Sequence, residues 1–227
     1  MIVGVLVALT PMASSALTLN SFLGSHMVLA REPLSARVWG NATSGKTVAV
    51  TLSGVGTWHS QPAAVNGSWL IELPPQPAGT KHALVFTDGV TSITLDDVAF
   101  GDVYLCTGQS NMEFSLNAAM NASAEIADSL HYPELRLATV ANQFSGTPMD
   151  NALPIANYTE GGKVVAWRRS GPDAFAPANT TEFSYFSAVC YLFGRDLYRH
   201  MRVPIGLVAS DVGGVKIETM MSEDARL

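Results

Sequence analysis

Turn-forming residues punctuate the first half of the chain so closely that only short strands fit between them. Gly40-Asn41, Ser44-Gly45, Asn66-Gly67, Pro74-Pro75, Pro77-Ala78-Gly79 and Asp88-Gly89 separate the runs Met27–Leu29, Ala36–Trp39, Thr47–Leu52, Ser68–Leu73, Ala83–Thr87 and Thr91–Leu95. The runs are rich in Val, Thr, Trp and Leu, which suit a pleated, half-buried surface, and the separators favour turns. Thr47-Val-Ala-Val-Thr-Leu52 alternates polar and apolar side chains, as a strand with one buried face requires. Residues 17–99 are therefore expected to form a small antiparallel β-sandwich-like domain.

The pattern changes at Phe100-Gly101. Asp102-Val-Tyr-Leu-Cys-Thr107 is a short continuous apolar run, the signature of a strand covered on both faces, and it ends at Gly108-Gln109-Ser110-Asn111-Met112. Residues 118–130 are compatible with a helix, and residues 141–180 read as long loops rich in Pro, Gly, Asn and Thr. Apolar side chains from Phe186 to Met201 fall on one helical stripe, which predicts an amphipathic helix over Ser184–Met201. Pro204 breaks it, Ile205–Ser210 forms a second buried-strand run, and Asp211-Val-Gly-Gly214 turns into Lys216-Ile-Glu218, which could open another helix. Strand, helix, strand and glycine turn describe the start of a parallel α/β sheet over residues 100–227, with two of its strands visible.

Charged residues make up 14% of the 227, the formal net charge is −6, and no basic cluster exceeds Arg168-Arg169. Such a surface does not attract phosphate backbones, so nucleic acid is not an expected partner. No C-x-x-C or H-E-x-x-H occurs and the five histidines are scattered, so neither a metal nor another cofactor is expected.

The first sixteen residues combine an apolar run, Met1–Leu9, with small residues ending at Ala16, which predicts a signal peptide over residues 1–16. The run is too short to span a bilayer, and no longer one follows. Five of the ten asparagines, Asn41, Asn66, Asn121, Asn157 and Asn179, open N-x-S/T sequons, and Ser plus Thr are too few to produce five by chance. Both features point to the secretory pathway and N-glycosylation. Cys106 and Cys190 form an even count in an exported chain and lie in apolar stretches, so a disulfide and two buried thiols both fit.

Ligands of open parallel sheets bind beyond the carboxyl ends of the strands. Two turns fall there, Gly108–Met112 and Asp211–Gly214. A serine on a tight turn between strand and helix can project its hydroxyl as a nucleophile elbow does. Glycines 213 and 214 would admit a backbone N–H to the same point. G-x-S-x-M is not G-x-S-x-G, and a serine at a strand end serves as a cap or turn former as readily as a nucleophile.

Gly101-Asp-Val-Tyr-Leu-Cys-Thr-Gly-Gln-Ser-Asn-Met112 resembles the nucleophile block of sialate O-acetylesterases, within the SGNH-hydrolase superfamily. Gly24–Pro33 with Val38-Trp-Gly40, Ser187–Tyr198, and Pro204–Ser210 with Gly213-Gly214 and Ile217-Glu218 resemble further blocks in register. The resemblance implies an SGNH-type, flavodoxin-like α/β fold and hydrolysis of acetyl esters on sialic acid, in the lysosome or outside the cell. Matched by position, Ser110 is the nucleophile, and Gly213 or Gly214 is an oxyanion donor. Where relatives carry Ser-Trp-Gly-Gly-Thr-Pro-Ile-Glu-Ala-Trp, this chain has Asp211-Val-Gly-Gly-Val-Lys-Ile-Glu-Thr-Met220, so the sugar or acyl pocket differs.

The same resemblance implies an Asp-x-x-His motif far downstream that activates the serine; the one such spacing in these residues, Asp128-Ser-Leu-His131, ends in a histidine that reads as a surface or helix-end residue, as does His200. An apparently truncated α/β domain, inactive by itself, is therefore expected. Two alternatives accompany the sialate reading: an acetylxylan-type carbohydrate esterase, and a catalytically inactive glycan-binding or structural protein.

Overall fold

A computed structural model describes residues 16–140, 151, 166–175, 186–222 and 224–226. The expected signal peptide lies outside them except for Ala16, as do Asn157, Asn179 and most of the 141–180 loops.

The described chain is mixed α/β. Its strands are β1 (Thr18–Leu19), β2 (Val28–Ala30), β3 (Ala36–Asn41), β4 (Ala49–Leu52), β5 (Gly56–His59) and β6 (Ser68–Leu73), then β7 (Gly79–Thr87), β8 (Ser92–Gly108), β9 (Leu135–Thr139), β10 (Arg168–Arg169) and β11 (Ile205–Asp211). The helices are α1 (Ser110–Glu113), α2 (Ala122–Asp128), α3 (Pro172–Phe175) and α4 (Ala188–Met201). One sheet has the order β1-β3-β6, and a larger one runs β10-β9-β11-β8-β7-β4-β5, with β2 pairing β8.

The alternation seen in the sequence is realised strand by strand. β3 and β6 bury every second residue, and Val38, Trp69, Ile71 and Leu73 enter one core with Val50, Leu52, Leu84, Phe86 and Val98 from the larger sheet. The rings of Trp69 and Phe86 meet across that core at 6.0 Å. Each buried aliphatic or aromatic side chain of this kind contributes about 1.5–3 kcal/mol.

β8 is one strand through the place where the sequence pattern changes. Its first half pairs antiparallel with β7, and its second half, Asp102–Gly108, pairs parallel with β11. Gly101 sits at the crossover: a Cβ there would lie 2.0 Å from the carbonyl oxygen of Pro204, so no side chain fits where β11 arrives. Arg31 holds the same point from outside, its guanidinium making 2.8 and 3.2 Å bonds to Asp102.

Four expectations need correction. β9 adds a third parallel strand to the two visible in the sequence, paired with β11 from Ile205↔Leu135 to Ala209↔Thr139. The helix expected over 118–130 is broken: 3-10 turns at Leu116–Ala118 and Ser129–His131 flank α2, and Asn121 ahead of it adopts a left-handed φ of 62°. The Lys216–Glu218 segment opens only a 3-10 turn, Ile217–Met220. Among the described residues β8 is covered on one face, for Tyr104 and Cys106 point toward α4 while Val103 and Leu105 remain 44% and 65% exposed.

α4 begins at Ala188, where the Ser187 hydroxyl accepts from the Cys190 N–H at 3.1 Å, an N-cap that fixes its start. Its buried side packs on Leu135, Leu137, Leu207 and Ala209. A disulfide joins Cys106 of β8 to Cys190 of α4. Asp97 ties the two halves together. Its carboxylate accepts from His26 Nδ1 (2.7 Å), from Arg169 Nε (2.8 Å), and from Arg136, whose side chain is only 2% exposed.

Candidate active site

The two turns singled out by sequence lie side by side because β8 and β11 are parallel neighbours that end together, with Asp211 opposite Gly108. Ser110 is the first residue of α1, directly after Gln109 leaves the strand in an extended conformation, and it is exposed. The first N–H groups of a helix have no partner within it, so the serine sits beside backbone donors.

Three bonds fasten the turns to each other. Val212 N–H donates to the Gly108 carbonyl at 3.1 Å, Gly213 N–H donates to Glu113 Oε2 at 2.7 Å, and the Gln109 side-chain amide donates to the Val215 carbonyl. A Cβ on Gly213 would meet Glu113 Oε2 at 2.9 Å and Ser110 Oγ at 3.2 Å, so a side chain there would displace one or both of these groups. Gly214 follows with φ of 78° and open space around it.

Ser110, Gly213 and Gly214 are thus brought together, and Glu113 joins them. Glu113 was not singled out from the sequence; the available signal was an acidic residue one helical turn after the serine. Of the two glycine amides, Gly213's is occupied by Glu113, while no bond to the Gly214 N–H is found among the described residues.

Histidine is not brought to this point. His26 is bound to Asp97, His82 packs edge-on against Phe100, and His131 faces Asp128 at 3.1 Å. His200 ends α4 in an exposed position and His59 ends β5. Among the described residues there is no group of three or more His, Cys, Asp and Glu side chains placed to hold a metal ion, and no helix long and apolar enough to cross a membrane. The three described sequon asparagines, Asn41, Asn66 and Asn121, are all exposed.

An exposed serine at the carboxyl end of a parallel strand, flanked by a glycine turn from the next strand, is the layout in which α/β ester hydrolases present a nucleophile. Comparison with known proteins narrows the class. The chain is 37% identical over 213 residues to the sialate O-acetylesterase of Rattus norvegicus, covering 90% of this chain and 37% of that protein. It is 32% identical over 210 residues to the sialate O-acetylesterase of Homo sapiens, covering 89% and 38%. Among solved structures, a carbohydrate acetylesterase from Xanthomonas citri superposes with a TM-score of 0.76 at 28% identity, over 91% of this chain and 43% of that one. No family model matches. The resemblance to sialate O-acetylesterases holds across nine-tenths of the chain, and the chain spans about 37% of the rat protein's length.

Proposed function

We propose that this chain carries the nucleophile half of a carbohydrate O-acetylesterase that removes acetyl groups from sialic acids, with Ser110 attacking the acetyl carbon. The observation that carries the proposal is the convergence of Ser110 and the Gly213-Gly214 turn at the end of two parallel strands. The fold reading that accompanies it is a β-sandwich-like unit followed by part of an SGNH-type, flavodoxin-like sheet.

In this mechanism the Ser110 oxygen adds to the ester carbonyl, and the carbonyl oxygen takes up negative charge. Preorganised N–H groups aimed at that oxygen are worth about 3 kcal/mol each. Gly214 is the better donor of the two glycines, because the Gly213 N–H already serves Glu113. Glu113 acts as a positioning residue, holding the glycine turn against α1. Collapse of the tetrahedral intermediate expels the sugar hydroxyl and leaves an acetyl-serine, which water then cleaves.

A serine hydroxyl needs a base to accept its proton, normally an oriented histidine. None of the described histidines occupies that place, so the proposed mechanism takes its base from outside the described residues. The expected signal peptide and the sequons support action in the secretory pathway, lysosomal or extracellular.

The test is a substrate panel with the complete enzyme. Hydrolysis of O-acetylated sialic acid well ahead of acetylated xylan supports the assignment. Preference for acetylated xylan points to the neighbouring esterase class, and absence of any turnover with retained glycan binding points to a binding protein.

A further inference from the structure

The outward face of the three-stranded sheet carries an apolar pair, Trp39 and Leu70, which stand opposite one another in the β3–β6 register and are 36% and 53% exposed. Asn41 lies two residues beyond Trp39 on the same strand. Side chains at i and i+2 of a strand share a face about 7 Å apart, so the Asn41 amide stands beside the indole. Asn41 is exposed and opens the sequon Asn41-Ala42-Thr43, whose middle residue points into the core.

Trp39 and Asn41 line a cleft of about 720 Å³ together with Gln61, Asn66, Leu70 and Asn151, and no Asp, Glu, Lys or Arg is among its described lining residues. An indole offers a flat apolar surface, and side-chain amides offer both donors and acceptors. That combination fits a neutral sugar with an apolar C–H face, hydroxyls and an N-acetyl group. Asn66 also opens a sequon on the rim, but it belongs to a turn, its Oδ1 accepting from Ser68 N–H at 3.0 Å and Ser68 Oγ at 2.8 Å. It lacks the same-strand relation to Trp39.

We propose that an N-linked glycan on Asn41 folds back over the sheet, with its first N-acetylhexosamine seated against Trp39 in this cleft. Attachment joins Asn41 Nδ2 to the anomeric carbon of a pyrophosphate-linked oligosaccharide donor. The nitrogen loses one proton, and the pyrophosphate leaves with the electron pair of the broken bond. The proposal rests on the secretory-pathway part of the proposed function and is independent of the ester-cleaving site.

The test uses the complete enzyme secreted from eukaryotic cells, with the Asn41 peptide read by mass spectrometry and thermal melts of wild type, Thr43→Ala, Trp39→Ser and the double variant. The expected result is a glycan on Asn41 whose loss in Thr43→Ala lowers the melting temperature by about 3 °C, a shift that shrinks below about 1 °C when Trp39 is already Ser. An endoglycosidase that leaves one sugar on wild-type protein preserves the melt, and this arm needs no variant to fold. An unmodified Asn41, an equal loss in both Trp39 backgrounds, or a loss reproduced by Asn66→Gln but not by Thr43→Ala overturns the proposal. Acetyl-ester turnover in the same preparations is unchanged if the proposal holds, and its absence throughout counts against the esterase reading alone.

Discussion

The Gly213 N–H donates to the Glu113 carboxylate at 2.7 Å, and the same glycine leaves room for Ser110 Oγ, 3.2 Å from where its Cβ would be. This one contact couples the end of β11 to the first turn of α1. In the proposed mechanism it favours Gly214 over Gly213 as oxyanion donor, because an amide already engaged by a carboxylate is not free to receive charge.

Gly213→Ala places a methyl group between Ser110 and Glu113. We expect the melting curve to stay close to wild type while kcat/KM for acetyl esters falls about 100-fold, the scale of a lost oxyanion arrangement. Parallel calorimetry and hydrolysis assays check it; unchanged kcat/KM would show that the turn is not part of the site.

Glu113→Ala releases the glycine turn. A hydrogen bond to a charged group is worth about 1.5–3 kcal/mol, so kcat falls by about tenfold or more. In a purely positioning role the carboxylate leaves KM little changed. Glu113→Gln keeps an acceptor in place and recovers part of the rate. A loss confined to KM, or no rescue by Gln, would remove the positioning role.

The Cys106–Cys190 bridge spans a sequence separation of 84 and ties β8 to α4. Cross-linking a loop of that length restrains the unfolded chain by about 4 kcal/mol. The double variant Cys106→Ala/Cys190→Ala should therefore melt about 10 °C lower, and wild type in reductant should follow it. Indifference to reductant would contradict the bridge.

Burial pushes the Asp97 carboxyl up, but hydrogen bonds from Arg136, Arg169 and His26 outweigh it and hold the group well below the usual carboxylate range. A depressed carboxylate stabilises the fold above its unfolded value of about 3.9 and loses that stabilisation as pH falls below it. Asp97→Asn leaves the Arg136 guanidinium, 2% exposed, without its counter-charge, and costs about 3–5 kcal/mol near neutral pH. Denaturant melts from pH 7 to 3 should show the gap between wild type and variant narrowing at the acid end. A constant gap would contradict the linkage.

Much of this architecture was legible in the residues. The Ser68–Leu73 strand was bounded correctly by Asn66-Gly67 and Pro74-Pro75, and the apolar stripe ending before Pro204 identified α4. What was missed depends on contacts distant in sequence. β9 was hidden by Arg136, whose burial makes sense only once Asp97, 39 residues earlier, supplies its partner. The continuity of β8 was hidden because its neighbours change from β7 to β11 at Gly101, while the strand itself runs on from Ser92 to Gly108. At the candidate site the serine and the glycine pair were readable as strand-end turns; Glu113 was not, since its partner is the Gly213 amide, 100 residues away.

The most direct measurement is rapid-quench mass spectrometry of the complete enzyme during turnover of an acetylated sialic acid. The account predicts a transient acetyl group on the peptide containing Ser110, and loss of both that species and turnover in Ser110→Ala. Wild-type turnover in Ser110→Ala, or acetyl trapped on a different residue, would contradict it.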